Sequence, residues 1–149
     1  MQNFYKIQTS FPVEKEINYF LNQGHEEQGY IMLNQEEIFN SCSTLAKISQ
    51  LLKNSDPIGR IGNYRAVYEL GMGIECYTPD NGSNPGQGTI GMEEYMRVIT
   101  FVTYCNPKIT NMNQVENFIN KVAEAHPWEH PVIQFHHNGN IKLYTKDNT

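Results

Sequence analysis

The sequence predicts an α+β domain in which helices cover one face of an antiparallel sheet, and three patterns carry this prediction. Residues 95–104 read as a long strand. Residues 115–123 place apolar side chains at the spacing of an amphipathic helix. Asn138-Gly139 between two short apolar runs is typical of a two-residue hairpin turn. The implied order of strand, helix, strand, strand, helix and strand is the ferredoxin-like βαββαβ arrangement.

Weaker signals predict the elements of the first half of the chain. A first strand should span residues 3–11, and a short helix should follow over residues 13–23. Gly24 would end that helix, because glycine adopts the left-handed conformation after a helix at little cost. The apolar run at residues 30–33 suggests a further short strand.

The next helix and strand have clearer markers. Asn34 should cap a helix, with Glu37 completing a capping box. Residues 59–78 should then form an extended strand or a bent hairpin arm. Gly71 and Gly73 would mark a bulge or a close approach within it.

A long loop and a closing hairpin are expected in the second half of the chain. Residues 79–91 contain four glycines and two prolines, and loops of this length in a compact domain are usually functional or mobile. Asn111 or Asn113 should cap the last helix. The hairpin strands should span residues 132–137 and 140–145.

Composition excludes several classes of protein. The 149 residues suit one domain with one core. A net charge of -5 argues against nucleic-acid binding, which requires a basic face. We recognise no secretory leader and no membrane-spanning run. The three cysteines, Cys42, Cys76 and Cys105, are odd in number and none is close to another, so the sequence supports neither a disulfide framework nor a Cys-x-x-Cys metal site. We therefore expect a cytoplasmic protein, and we expect neither nucleic-acid nor membrane partners.

The strand at residues 95–104 is apolar on both faces. Ile99 and Phe101 lie on one face, whereas Val98 and Val102 lie on the other. Helices can cover only one of these faces. We therefore expect a second copy of the chain to cover the other, which makes the protein a homo-oligomer.

Four short motifs follow one another along the chain. They are Gly59-Arg60-Ile61-Gly62-Asn63-Tyr64, Gly82-Ser83-Asn84-Pro85, Glu93-Glu94 ahead of Arg97, and Ala125-His126-Pro127-Trp128-Glu129. In order and spacing they resemble the small domain inserted in many Nif-three-like dinuclear-metal proteins. That domain also occurs free-standing, sometimes labelled a structural toxin protein of the RTX type. The resemblance covers about residues 59–137 and implies a ferredoxin-like fold related to the trimeric CutA and PII proteins.

The chain departs from the family pattern in two places. Residues 13–34 look like an insertion into a single domain of residues 1–149, because the family has one helix before the Gly-Arg-Ile-Gly-Asn-Tyr motif. Trp128 and His130 stand where the family usually has tyrosine and glutamate. The dinuclear metal centre belongs to another domain of those proteins, and it cannot be assigned to any residue here.

Histidines cluster towards the C-terminal end. His126, Glu129, His130 and His136 are predicted to hold a divalent transition metal such as zinc, copper, nickel or cobalt. Part of this cluster also matches the His-x-x-Glu-His pattern of zinc proteases, but the prolines within and after it exclude the continuous helix which that pattern needs. Alternatively, His126 hydrogen-bonds the helix end and the other histidines are surface groups.

Arg60, Glu94 and Trp128 are the candidate ligand-binding residues outside that cluster. Arg60 lies between two glycines and either clamps an anion or pairs with Glu93 or Glu94. Trp128 is the only tryptophan, and it either caps the core at the helix end or forms one wall of a pocket. No serine or cysteine has an evident partner base, so no catalytic residue is predicted.

These patterns favour a non-enzymatic oligomer, a trimer or a dimer, that binds a metal ion or a small ligand and serves metal tolerance or regulation. Two alternatives stay open. One is a structural or protein-interaction module without a ligand. The other is a metal-dependent accessory hydrolase, which the resemblance to the Nif-three-like proteins implies.

Overall fold

The computed structural model describes residues 3–14, 19–21, 31–33 and 35–145. These residues form an α+β fold with an antiparallel sheet, as the sequence predicts. The sheet has five strands, and three helices accompany it. In chain order the elements are β1 (Tyr5–Pro12), β2 (Tyr19–Leu21), β3 (Ile31–Leu33), α1 (Gln35–Ser41), α2 (Ser43–Lys53), β4 (Tyr68–Tyr77), β5 (Glu94–Cys105), α3 (Met112–Ala125), β6 (Ile133–His137) and β7 (Asn140–Tyr144). Strands β2 and β3 pair only with each other in a separate ribbon.

The five-stranded sheet has the strand order β4-β5-β1-β6-β7, and all neighbours are antiparallel. Strand β5 is the longest, and it pairs with β4 along one side and with β1 along the other. Strands β4 and β7 are the two edges. The strict ferredoxin-like order remains a prediction.

One face of the sheet forms the core. Because side chains alternate between the two faces of a strand, the pairings of Ile7 with Thr103 and Phe11 with Ile99 place all four on the same side. This side packs against buried residues of both long helices, Leu45, Ile48 and Leu52 of α2 and Val115, Phe118, Ile119 and Val122 of α3. The helices therefore cover one face, and the opposite face of the sheet, called the open face below, carries no helix among the described residues.

The start of α3 and the closing hairpin agree with the predictions. Asn111 caps α3 in a full capping box: its Oδ1 accepts from the Gln114 N–H at 2.8 Å, and the Gln114 side chain accepts from the Asn111 N–H at 2.9 Å. In the turn between β6 and β7, both Asn138 and Gly139 have positive φ angles, as a hairpin turn of this type requires.

One helix prediction near the N-terminus is wrong, and another is right except for its continuity. The helix expected over residues 13–23 contains the strand β2, although residues 15–18 and 22–23 lie outside the described part of the chain. The helix expected from Asn34 onwards is divided at Cys42, whose backbone is extended. The division has a tertiary cause, because the Ser41 carbonyl accepts from the Glu14 N–H at 2.7 Å instead of from the next helical turn. The capping box of Asn34 lies outside the described residues.

The strand expected over residues 59–78 is shorter than predicted. Residues 59–67 form a series of turns, and β4 begins only at Tyr68. No bulge occurs at Gly71 or Gly73, since the pairing of β4 with β5 is continuous from Tyr68 to Tyr77. The glycine-rich motif is therefore a tight corner that brings the chain from α2 into β4.

Among the described residues, no helix has the length and apolar character needed to cross a membrane.

Gly59 should be the glycine least tolerant of substitution. It is buried with a φ of +81°, and an added Cβ would lie 3.1 Å from Leu52 Cδ1 and 3.2 Å from the Ala66 backbone. We expect Gly59→Ala to lower the free energy of unfolding by about 2–4 kcal/mol through strain and overpacking. Gly62→Ala is the control, since its φ is +57° but nothing lies near the added Cβ. It should cost only about 1 kcal/mol. Equal losses in urea denaturation would contradict the role of close packing at Gly59.

Candidate functional site

A cavity of about 610 Å³ lies at one end of the open face. Its floor comes from the sheet, through Glu75 and Tyr77 of β4 and Met96 of β5. One wall is the long loop, residues 79–87, and the other is the segment 127–130 that follows α3. The cavity thus joins the two regions that the sequence marks as functional.

The long loop is tied to both neighbouring elements. The Asn84 N–H donates to Glu129 Oε2 at 3.0 Å, which joins the loop to the segment after α3. The Tyr77 hydroxyl donates to the Gln87 carbonyl at 2.7 Å, and the Gln87 side chain donates to Glu94 Oε1 at 3.2 Å. These bonds hold the loop beside the sheet, so the cavity is a formed feature of the fold.

Flat apolar groups dominate the cavity walls. Trp128 and Tyr77 supply aromatic rings, Met96 supplies a polarizable thioether, and three prolines, Pro79, Pro85 and Pro127, supply rigid rims. Aromatic and thioether surfaces of this kind favour a planar organic ligand. Small-molecule sites generally combine such walls with a few polar groups that orient the ligand.

Glu75 is the charged group on the cavity floor. Desolvation beside the cavity walls raises the pKa of its carboxyl above the ordinary value of 4.5. Glu75 remains exposed, so this loss of solvation is partial, and a cation in the cavity would further stabilise its charge. Burial, followed by the charges of Glu94 and Glu75, also raises the pKa of Tyr77 above its ordinary value.

A smaller cavity of about 150 Å³ continues from the first along the open face. Glu75, Trp128 and His130 line both cavities. The smaller one is otherwise mainly polar, because Gln8, Thr9, Ser10 and Gln134 contribute to its lining. The larger cavity is thus mainly apolar and the smaller one, called the polar annex below, is mainly polar. The Glu75 carboxylate lies where the two meet.

His126 lies beneath Trp128 in the core. It is 1% exposed, and its Nε2 is 2.7 Å from the Ser10 carbonyl oxygen. Its Nδ1 accepts from the Trp128 N–H at 3.2 Å, so the proton of the neutral ring is on Nε2 and is donated to Ser10. The imidazole therefore connects β1 to the segment that carries Trp128, and binding a metal would require breaking one of these bonds.

The other predicted metal ligands are spread over the open face. Glu129 and His130 meet at the cavity rim, where Oε1 and Nε2 are 3.7 Å apart. His136 lies on β6, and its Nε2 is 2.8 Å from the side-chain oxygen of Gln134. Desolvation, followed by the charge of Lys6, lowers the pKa of His136. The described residues include no group of three or more His, Cys, Asp or Glu side chains placed to hold one metal ion.

The three predicted ligand-binding residues, Arg60, Glu94 and Trp128, do not come together in one site either. Trp128 lines the cavity, as one of its two predicted roles requires. Glu94 does not line the cavity; its carboxylate accepts a hydrogen bond from the Gln87 side chain of the long loop. Arg60 instead makes a bidentate pair with Asp56, with both N···O distances at 2.8 Å, and this pair lowers the pKa of Asp56. The expected partners Glu93 and Glu94 are not the ones that Arg60 contacts here.

Sequence reasoning missed Glu75, Tyr77 and Met96. These residues come from two neighbouring strands, and only the pairing of Glu75 with Met96 brings them together. A signal was nevertheless present, because Glu75 is an isolated charge in the otherwise uncharged run Leu70–Tyr77. A single charge in such a strand, directly ahead of a long loop, is a reasonable marker of a site.

Comparisons with known proteins identify similar folds. No protein-family model and no curated protein sequence matches the chain. Among solved structures, a Bacillus cereus protein related to NIF3 overlays 99% of this chain with a TM-score of 0.50 and 16% identity. The chain spans only 26% of that protein's length. A phage SAM lyase in complex with S-methyl-5'-thioadenosine overlays 97% of this chain and 90% of its own, with a TM-score of 0.53 and 8% identity.

The first comparison supports a NIF3-like fold, which the sequence motifs predict. Identities this low establish the fold alone. The relation to CutA and PII and the RTX label remain predictions.

The raised pKa of Glu75 gives a prediction for stability against pH. A carboxyl whose pKa is higher in the folded state destabilises that state once it ionises, and the cost disappears below its unfolded pKa. We therefore expect Glu75→Gln to raise the unfolding temperature at pH 7, with the gain shrinking to nothing below about pH 4. Glu69→Gln on the same face of β4 is the control and should give no gain. A pH-independent effect of Glu75→Gln would contradict the desolvation of this carboxylate.

Proposed function

We propose that the chain binds a small organic molecule that combines a planar ring with a positively charged centre. The observation that carries this proposal is the cavity itself, with Trp128, Tyr77 and Met96 around the Glu75 carboxylate. Aromatic and thioether walls favour a flat ring, and a partly desolvated carboxylate favours a cation. The polar annex would accommodate hydroxyl or amino groups attached to the ring.

A nucleoside with a sulfonium group has all three parts. The structural neighbour of similar length is described as a SAM lyase in complex with S-methyl-5'-thioadenosine. That description belongs to the neighbour, but it suggests two related probes. S-adenosylmethionine carries a sulfonium charge and an amino-acid chain, whereas S-methyl-5'-thioadenosine has the same adenosine with a neutral thioether and lacks that chain.

Trp128 provides a direct readout of binding, because it is the only tryptophan and it lines the cavity. We expect both probes to change its fluorescence in a saturable way with a Kd below about 1 mM, and S-adenosylmethionine to bind more tightly. Glu75→Gln should weaken S-adenosylmethionine by about 10–100-fold, the value of a charge-assisted contact, and leave the neutral probe nearly unchanged.

The matched control is Glu124→Gln, which removes an exposed carboxylate from α3 outside the cavity. It should bind both probes as the wild type does. If neither probe changes the fluorescence of the wild-type protein at millimolar concentration, the proposed ligand class is wrong. If Glu75→Gln weakens both probes equally, the carboxylate has a role other than charge recognition.

A second candidate function is cleavage of the same kind of ligand. It is favoured by the overlay of nearly the whole chain on nearly the whole lyase, together with a carboxylate inside the cavity. Incubation with S-adenosylmethionine, followed by chromatography for released S-methyl-5'-thioadenosine, tests this candidate. Release that Glu75→Gln abolishes would support an enzyme, and binding without release would support a sensor or carrier.

A divalent metal is the alternative ligand predicted from the sequence, and Glu129 with His130 is the pair best placed to begin such a site. If they hold zinc, copper, nickel or cobalt, the metal at about 100 times its Kd should raise the unfolding temperature of chelator-treated protein by about 5–11 °C. His130→Ala should abolish the shift. A shift that persists in His130→Ala, or its absence in the wild type, would exclude this pair as the metal site.

A further inference from the structure

The two cavities contain carboxylates but no strong base. Glu75 lies on the floor of the larger cavity and Glu129 lies at its rim. Among the described residues, no lysine or arginine lines either cavity. The walls include one histidine, His130, and its Nε2 is 3.7 Å from Glu129 Oε1. A ligand in the larger cavity therefore meets negative potential from the floor and from the rim.

The end of helix α3 adds to this negative potential. A helix carries a partial negative charge on the free carbonyls at its C-terminal end. Helix α3 ends at Ala125, directly before the cavity wall at residues 127–130, and its last turn contains no basic residue. The capping residue His126 is neutral, because its Nδ1 accepts from the Trp128 N–H. The helix itself therefore supplies no positive charge at this end.

This distribution of charge opposes phosphorylated ligands. Phosphate groups are generally bound by lysine, by arginine or by the N-terminal end of a helix. Here the wall follows the C-terminal end of a helix, and the floor holds a carboxylate. A phosphate would face like charges with no strong base to offset them. The cavity volume of about 610 Å³ is ordinary for a small-molecule site, so charge rather than size makes the distinction.

Two aromatic rings in the cavity walls are held in place. Trp128 packs against the His126 imidazole, with the ring centroids 5.1 Å apart. The Tyr77 hydroxyl donates to the Gln87 carbonyl at 2.7 Å, which fixes its ring beside the sheet. The faces of such rings attract cations, and quaternary ammonium ligands are recognised in this way. Because both rings are fixed before a ligand enters, little side-chain freedom is lost on binding.

Carboxylate acceptors in the walls are too few for a protonated amine. A primary ammonium has three N–H donors, and each needs an acceptor once water is removed. Glu129 Oε2 already accepts from the Asn84 N–H at 3.0 Å. Glu75 makes no hydrogen bond with another described residue, so its carboxylate is available to balance one positive charge. An alkylated sulfonium or quaternary ammonium has no N–H to satisfy, and it requires only that charge and the ring faces.

We infer that the cavity selects alkylated onium ions, a sulfonium or a quaternary ammonium, over protonated amines and that it excludes phosphorylated ligands. The selection concerns the cationic centre of the ligand proposed above, so it rests on that proposed function. Glu75 supplies the countercharge, and the rings of Trp128 and Tyr77 supply contacts that favour alkyl groups around the charge. If the planar part of the ligand is a nucleobase, the ligand is a nucleoside rather than a nucleotide.

Four adenosine ligands test this selection by isothermal titration calorimetry. S-adenosylmethionine carries a methylsulfonium, and in sinefungin a carbon bearing a primary ammonium replaces that group. We expect the wild type to bind S-adenosylmethionine about 5–30-fold more tightly than sinefungin, the value of one or two cation–π contacts. Adenosine and adenosine 5'-monophosphate form the second pair. The monophosphate should bind at least about 30-fold more weakly, because its phosphate faces like charges.

Two variants of Tyr77 test the contact with the ring. Tyr77→Leu removes the ring together with the hydrogen bond to Gln87, whereas Tyr77→Phe removes only the hydrogen bond. The preference for S-adenosylmethionine over sinefungin should fall by about 3–10-fold in Tyr77→Leu and persist in Tyr77→Phe. Glu75→Gln should weaken both cations by a similar factor, because the carboxylate recognises charge rather than alkyl groups. Thermal unfolding verifies that each variant folds.

Each remaining outcome overturns a defined part of the inference. Equal affinities of the wild type for S-adenosylmethionine and sinefungin overturn the selection of onium ions and leave the proposed function intact. A preference that survives in Tyr77→Leu, or that Tyr77→Phe also loses, overturns recognition by the ring. Monophosphate binding as tight as adenosine binding overturns the exclusion of phosphate. If none of the four ligands binds at millimolar concentration, the proposed function is itself wrong and the selection fails with it.

Discussion

The pairing of β5 with strands on both sides fixes how the sheet, the core and the cavity are arranged. It aligns β4 and β1 to the same register, so one set of side chains faces the helices and the other set faces the open side. Burial of Ile99, Phe101 and Cys105 determines which set is which, because a shift of one residue would exchange the two faces. The position of Glu75 beside Met96 on the open face follows from this register.

The candidate site depends on the core through one side chain. His126 is held by Ser10 of β1 and in turn holds the backbone of Trp128, which forms a wall of the cavity. Glu129, one residue further on, fixes the long loop through Asn84. The buried imidazole of His126, with both nitrogens in hydrogen bonds, thus anchors the exposed cavity rim at Trp128 to strand β1. The histidine that the sequence suggests as a ligand contributes here as a support.

The two structural neighbours show why the fold does not decide the function. One is a segment of a larger NIF3-related protein, and the other is nearly a whole SAM lyase, yet both overlay almost all of this chain. A common scaffold can carry unrelated chemistry when the site is built from loops and strand ends. Here the features that separate the hypotheses are local: an aromatic-walled cavity, a carboxylate on its floor and a histidine cluster that does not converge on one point.

Elements with local signals could be predicted from the residues alone. Helix α3 with its Asn111 cap, the long strand β5 and the Asn138-Gly139 turn follow from periodicity, capping and turn chemistry, which neighbouring residues decide. The division of the helix at Cys42, where the Glu14 N–H that follows β1 donates to the Ser41 carbonyl, and the placement of Glu75 within the cavity required the folded structure. These depend on contacts between residues distant in sequence, and residue spacing along one chain does not encode which strands will lie side by side.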